Sequence, residues 1–264
     1  VQDGGGGLTL GAGPWPGMPV ALPGGASALF TWTFTGSSTG PVTFSTTVAG
    51  IDVNTGVTIY SGVALPAPVS VVTQGALVAE AAAPPTVTLG QVFTVSLTVT
   101  NTGGAVVNNL TATVFVGPGA ARVIRKSGPL PAGPVSVAGG GAQTFVWTYS
   151  ATATGAVTFT APAAGPTCGA TVVKASGGAA TTVQTPPLLS ARLRAAPWSV
   201  SSGGPVVLTL TVTNNGEATA AGLGFLPFVF GGTGGTATWA DGPFPAVPVD
   251  LAGGAALTFT WTFT

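Results

Sequence analysis

The residues best suited to acid–base chemistry in this sequence are its six carboxylates, which are scattered along the chain: Asp3, Asp52, Glu80, Glu217, Asp241 and Asp250. A hydrolytic acid and base would need two carboxylates at a fixed separation, and no such pair can be identified from the spacing. The chain also contains no histidine, which removes the usual general base and the commonest zinc ligand. We therefore predict no catalytic, cofactor-binding or metal-binding residues, and we expect that the chain is not an enzyme.

Four shorter motifs point to other chemistry, each with a simpler explanation. The stretch DVNTG at 52–56 has the first letters of a calcium loop without its later ligands, so we interpret it as a turn. The glycine runs at 4–7 and 231–235 precede neither a helix nor a P-loop lysine. Cys168 is the only cysteine and has no histidine to activate it, which predicts an inert thiol. Asn109 begins Asn-Leu-Thr and is a candidate glycosylation site.

The composition excludes several classes of partner. Charged residues make up 5% of the chain, where about 25% is usual. The six basic residues form no stripe that could neutralise phosphates, so we expect no nucleic-acid partner. The mean hydropathy is high, at +0.59, but polar residues, glycine and proline interrupt every apolar run, so we predict no membrane-spanning segment. A hydrophobic content of 45% with many β-branched residues indicates a folded, loop-rich β protein.

The chain repeats itself with a period of about 114 residues. Trp32, Trp147 and Trp261 lie in FTWTFT, FVWTYS and FTWTFT, and are spaced by 115 and 114 residues. The 19 residues before each tryptophan align without a gap and begin GPWP, GPLP and GPFP. A second landmark, FTVSLTVTNTG at 93–103, recurs as VVLTLTVTNNG at 206–216.

Both landmarks have the alternation of half-buried strands. Aromatic residues alternate with threonine around each repeat tryptophan, which predicts that Trp32, Trp147 and Trp261 point into a core. The second landmark ends in Asn-Thr-Gly or Asn-Asn-Gly, which suits a tight turn with positive φ. Turn signals recur every eight to twelve residues or so, and no stretch has helical periodicity. The sequence therefore predicts an all-β protein of tandem immunoglobulin-like β-sandwich repeats.

Two longer stretches, LTVTNTGGAVVNNLTATV and GGGAQTFVWTYSATATGAVTF, resemble the CARDB-type and related conserved-repeat immunoglobulin-like modules of bacterial surface and secreted proteins. The resemblance covers essentially the whole chain, and its motifs specify fold more than function. It implies an extracellular or cell-surface location and a role in adhesion or as a spacer. A Lys–Asn isopeptide crosslink, as found in resembling modules, would need Lys126 or Lys174 beside an asparagine and Glu80 in the middle module.

The repeat places module boundaries near two positions. Residues 76–187 form one complete module, residues 1–75 hold the C-terminal part of a preceding module, and residues 188–264 hold the N-terminal part of a following one. Half a sandwich leaves strand edges and a core face uncovered. We expect that the chain is a window of a longer polypeptide that completes both partial modules. The alternative is that neighbouring chains exchange strands.

Three further tryptophans differ between copies. Trp15, Trp198 and Trp239 are replaced by other residue types at the equivalent positions, so a common core does not need them. We interpret them as candidate contacts between modules or between chains, with peripheral packing as the alternative. A solvent-exposed groove lined by Trp15, Trp198 or Trp239 would instead favour a sugar-binding surface.

The low charge favours a structural function, because such a surface repels its own copies very little. We expect a filament, sheath or stalk outside a bacterial cell, built by packing of the chain with copies of itself or with further modules of the same polypeptide. The competing class is an adhesin, or a glycan-binding accessory module of a secreted or surface protein.

Overall fold

The structure is a computed structural model that describes residues 2–3, 6–64, 68–117, 122–168, 172–232 and 235–264. These residues form β-strands and no α-helix, which confirms the predicted all-β class. None of the described residues belongs to a helix long and apolar enough to cross a bilayer. The strands are described below for a first segment (1–75), a middle segment (76–187) and a last segment (188–264).

The middle segment holds the largest set of paired strands. Its strands are β8 (Leu77–Ala82), β9 (Thr86–Thr88), β10 (Val92–Asn101), β11 (Val107–Ala112), β12 (Phe115–Val116), β13 (Arg122–Leu130), β14 (Val135–Val137), β15 (Ala142–Ala153), β16 (Gly155–Pro166) and β17 (Val172–Gln184). A four-stranded sheet has the order β13-β15-β10-β8, and a second sheet has the order β14-β11-β16-β17-β9, with β12 added beside β16. All pairs are antiparallel except β17 with β9.

One continuous apolar core lies between these two sheets. The alternating residues of β10 and β15 face β16, so that Leu97, Phe145 and Phe159 are buried together. The rings of Tyr149 and Phe159 come from opposite sheets, and their centroids are 5.1 Å apart. The opposite faces of β10 and β15 carry hydroxyls, and the Oγ1 atoms of Thr98 and Thr144 lie 2.9 Å apart. The arrangement is consistent with a β-sandwich.

The last segment repeats one of these sheets. Its strands are β18 (Leu189–Ala196), β19 (Val206–Asn214), β20 (Ala220–Leu223), β21 (Trp239–Phe244), β22 (Val249–Leu251) and β23 (Ala256–Phe263). The sheet order β21-β23-β19-β18 is the order of the equivalent strands in the middle segment, and β20 pairs with β22 as β11 pairs with β14. Where β16 covers the core of the middle segment, Phe225 and Phe228 pack edge-on against Trp261, with centroid distances of 4.9 and 5.0 Å.

The first segment has smaller sheets and little buried surface. Its strands are β1 (Gln2–Asp3), β2 (Gly7–Trp15), β3 (Thr31–Ser38), β4 (Gly40–Thr43), β5 (Ala49–Ile51), β6 (Thr58–Tyr60) and β7 (Val69–Val71). They pair as β1-β4-β7, β2-β3 and β5-β6. Among its described residues Val42 is the one buried large apolar side chain.

A glycine packs against the repeat tryptophan in every segment. Gly128 has φ +107°, and a Cβ atom on it would lie 2.7 Å from Cα of Trp147. Gly13 and Gly242 have φ +111° and +102° and meet Trp32 and Trp261 in the same way. The Gly-Pro of each GPxP motif is therefore explained by the strand beside it, because only glycine fits both the φ and the contact.

We expect Gly128→Ala to destabilise the middle segment by about 3 kcal/mol, since it combines an unfavourable φ with a clash against the backbone of Trp147. Gly140→Ala is the matched control, because Gly140 also has positive φ but would place its Cβ in open space. The control should lose only about 1 kcal/mol. Urea unfolding followed by tryptophan fluorescence measures both, and equal losses would show that the contact with Trp147 contributes nothing.

Candidate functional site

A buried asparagine fixes the start of the middle segment. Asn101, at the end of β10, is fully buried. Its Nδ2 donates to the carbonyl oxygens of Ala105 at 2.8 Å and Val137 at 3.2 Å. Its Oδ1 accepts from the backbone N–H groups of Gly103 and Ala76, both at 3.1 Å. Both amide hydrogens and the carbonyl oxygen are thus paired, which offsets the cost of burying the group.

The last segment contains the same arrangement 113 residues later. Asn214 is fully buried at the end of β19, and its Nδ2 donates to Ala218 at 2.8 Å and Leu251 at 3.2 Å. Its Oδ1 accepts from the N–H groups of Gly216 and Leu188, again at 3.1 Å. Each asparagine therefore holds its own loop, a strand of the other sheet, and the chain arriving from the preceding segment.

The chain that leads into the middle segment, and the chain that leads into the last segment, each contain a threonine that binds the same loop as the asparagine. We define the first junction as residues 72–77 and the second junction as residues 184–189. In the first, Thr73 accepts from the N–H of Ala105 through its carbonyl at 2.8 Å and from the N–H of Gly104 through Oγ1 at 2.7 Å. In the second, Thr185 accepts from the N–H groups of Ala218 at 3.1 Å and Glu217 at 2.9 Å in the same two ways.

Each junction also has one contact of its own. In the first, the nearly buried Oγ1 of Thr167 accepts from the N–H of Gly75 and donates to the carbonyl of Val106, both at 3.2 Å. In the second, the carboxylate of Glu217 accepts from the N–H of Thr185 at 2.8 Å. Glu217, which had been considered as a candidate acid or base, therefore binds the junction backbone.

The Asn-x-Gly motifs were expected to form tight turns with positive φ, and the structure shows a different role for their glycines. Gly103 and Gly216 do not have φ in the left-handed region. They are buried, and a Cβ atom on Gly103 would collide with the carbonyl oxygen of Gln74, as one on Gly216 would with that of Pro186. These glycines are present because the junction backbone passes directly over them, not because the chain reverses there.

The three repeat tryptophans lie in different environments. Trp147 is fully buried and Trp261 is 4% exposed, whereas Trp32 is 42% exposed. For Trp32 the prediction of a core position is wrong in this structure. The reason is that β3 pairs with β2 alone within the described residues, whereas β15 and β23 each have a further strand, β10 or β19, along the other edge.

The three variable tryptophans are exposed, and one of them lines an apolar hollow. Trp198 is fully exposed in the loop after β18, and Trp15 and Trp239 are 76% and 60% exposed. Trp239 lines an open hollow of about 290 Å³ together with Phe228, Trp261 and neighbouring apolar residues. Neither Trp15 nor Trp198 is among the residues that line it.

The backbone conformation of Asn109 explains why an asparagine occupies this position. Asn109 has φ +46° in an irregular part of β11, and the equivalent residue in the last segment is Gly222, with φ +66°. Asparagine tolerates this conformation better than other residues with a side chain. The residue is exposed, so its availability for a glycan stays a prediction.

The remaining chemical candidates lie apart from one another. Asp52 accepts from the N–H of Asn54 and the hydroxyl of Thr55, both at 2.9 Å, and these hydrogen bonds lower the pKa of its carboxyl. It therefore caps a turn. Cys168 is exposed, and no cluster of potential metal ligands exists among the described residues. The side chain of Asp3 and parts of both glycine runs lie outside them.

The residues considered for an isopeptide crosslink lie in solvent. Lys126, Lys174 and Glu80 are all exposed on strands of the middle segment. The crosslink considered above would be buried, so these exposed side chains do not support it.

We expect Asn214→Ala to accelerate amide hydrogen exchange at Leu188 and Gly216 on the order of a hundredfold, because both N–H groups lose the side-chain oxygen that accepts from them. Asn215→Ala is the matched control, since Asn215 is exposed and both probed N–H groups donate to Asn214 instead. The Nδ2 of Asn215 donates to Oγ of Ser190 at 2.9 Å and to the carbonyl oxygen of Leu188 at 3.5 Å. Unchanged exchange in the Asn214 variant would show that this side chain does not hold the second junction.

Comparison with known proteins does not assign the chain to a family. No protein-family model matches it, and no curated protein does. A similar solved structure is that of the secreted serine protease VesC from Vibrio cholerae, with 13% sequence identity and a TM-score of 0.22. The match covers 70% of this chain and 46% of that chain, so it extends over less than half of VesC. A likeness of this degree carries no argument about fold or function.

Proposed function

We propose that this chain is a non-enzymatic structural protein, a tandem array of immunoglobulin-like modules that sets fixed distances in an extracellular filament, sheath or stalk. The module boundaries are those of the three segments. The CARDB-type resemblance supports an immunoglobulin-like module and a bacterial exterior location.

The observation that carries this proposal is the identity of the two junctions. The same side-chain types bind the arriving chain to the next segment twice, at similar distances, through Asn101 with Thr73 and through Asn214 with Thr185. A flexible tether would need none of these hydrogen bonds. A connection held by several hydrogen bonds restricts rotation between segments, which is what a spacer of constant length requires.

The composition supports the same function. With six basic and six acidic residues in 264, the surface offers little to a charged ligand and little repulsion between copies. Hydroxyl rows such as those around Thr98 and Thr211 cover the outer faces of the sheets instead.

A second function is favoured by one observation. The exposed Trp239 stands beside an apolar hollow, and aromatic rings of this kind can stack on sugar rings. An adhesin or glycan-binding module would use this place. Trp239→Ala should then abolish retention on an insoluble polysaccharide, whereas a purely structural role leaves retention absent in both proteins.

We expect small-angle X-ray scattering of the monomer to give one narrow distance distribution, because both junctions are hydrogen-bonded. Gly103→Val with Gly216→Val should broaden it and raise the radius of gyration, since each new side chain displaces the junction backbone. Gly24→Val with Gly62→Val is the matched control, because neither of these glycines has an atom within 4 Å of an added Cβ. Identical curves for all three proteins would contradict the rigid-spacer proposal.

A further inference from the structure

Each segment exposes one large apolar side chain at the same place. Trp15, Leu130 and Phe244 are the third residues of the three GPxP motifs, so each is flanked by two prolines. They are 76%, 73% and 58% exposed. We call these three side chains the apolar knobs.

Exposure of the knobs does not arise from missing strands. Leu130 belongs to the middle segment, where both sheets are present and the core is fully covered, and it is nearly as exposed as Trp15. Its Cα partner is Val146 on the outer face of β15, and the partners of Trp15 and Phe244 are Thr31 and Thr260. All three knobs therefore stand beside the outer, largely hydroxylated face of a sheet.

The strands that carry the knobs cannot readily extend their sheets. β2, β13 and β21 are edge strands, and each pairs with a single neighbour. The prolines next to each knob have no N–H to donate, and all three pairings contain register shifts. Prolines and irregular edges prevent backbone pairing with another sheet. A partner at this edge must therefore be held by side chains, and the knobs are the largest apolar ones available.

The spacing and charge of the three strands indicate which partner fits. The knobs recur after 115 and 114 residues, so a second copy of this chain carries apolar side chains at the same intervals. Of these strands, β13 carries Arg122, Arg125 and Lys126 and no acid, while β21 carries Asp241 and no base. A second copy displaced by one segment places the basic strand against the acidic one.

We propose that the apolar knobs form a lateral contact with a second copy of this chain, displaced by one segment. This inference rests on the proposed structural function and adds the surface through which its copies pack. Apolar contact supplies most of the attraction, and the charges of β13 and β21 select the displacement. Because so few charges take part, sodium chloride should weaken the association only slightly.

Sedimentation velocity over a concentration series tests the contact. The wild-type chain should associate reversibly. Trp15→Ser with Leu130→Ser and Phe244→Ser should raise the dissociation constant on the order of a hundredfold, because apolar area is no longer buried. The matched control is Val53→Ser with Phe115→Ser and Val229→Ser, which removes one exposed apolar side chain per segment away from the knobs and should associate as the wild type does.

Three outcomes would overturn the inference: a wild-type chain that stays monomeric at every accessible concentration, a knob variant that associates as strongly as the control, or loss of binding to cellulose or chitin in the knob variant with unchanged self-association. The last would assign the knobs to a glycan. None of these outcomes alters the scattering of the monomer, so failure of the lateral contact and failure of the rigid spacer are read from different measurements.

Discussion

The middle and last segments each depend on one buried asparagine. Asn101 and Asn214 are polar groups inside an apolar region, so every hydrogen-bonding atom of the side chain needs a partner. Those partners lie in three separate pieces of chain: the loop after β10 or β19, the β14 or β22 strand of the other sheet, and the junction. A single side chain therefore sets the spacing of two sheets and the position of the preceding segment.

The residues that recur around each asparagine follow from the need to pair all of its hydrogen-bonding atoms. The glycine two residues later leaves room for the junction backbone, and the threonine of the junction pairs the loop N–H groups that the asparagine cannot reach. Gly139 and Gly253 approach the backbone of the same loops from the other side. A substitution at either asparagine would leave buried backbone groups unpaired, so the cost exceeds the loss of one contact.

Alternation along the strands was sufficient to predict an all-β chain, because side chains on successive residues point to opposite faces whatever lies beyond them. Burial of a particular residue was harder, since it depends on strands distant in sequence: Trp32 and Trp147 share a motif and differ in exposure. The Asn-x-Gly motif misled for a related reason. A glycine needed for positive φ and one needed for close approach look the same in a sequence, and only the position of the junction distinguishes Gly103 from Gly128.

The contrast between cores and junctions bears on function. The groups that pack over the repeat tryptophan differ between segments. Strands of a second sheet bury Trp147, whereas the rings of Phe225 and Phe228 pack against Trp261. Apolar burial is non-directional, so different groups can provide it. The junction hydrogen bonds, which are directional, are nearly identical in both places. The junction hydrogen bonds therefore repeat where the cover of the tryptophan does not, as the proposed spacer of fixed length requires.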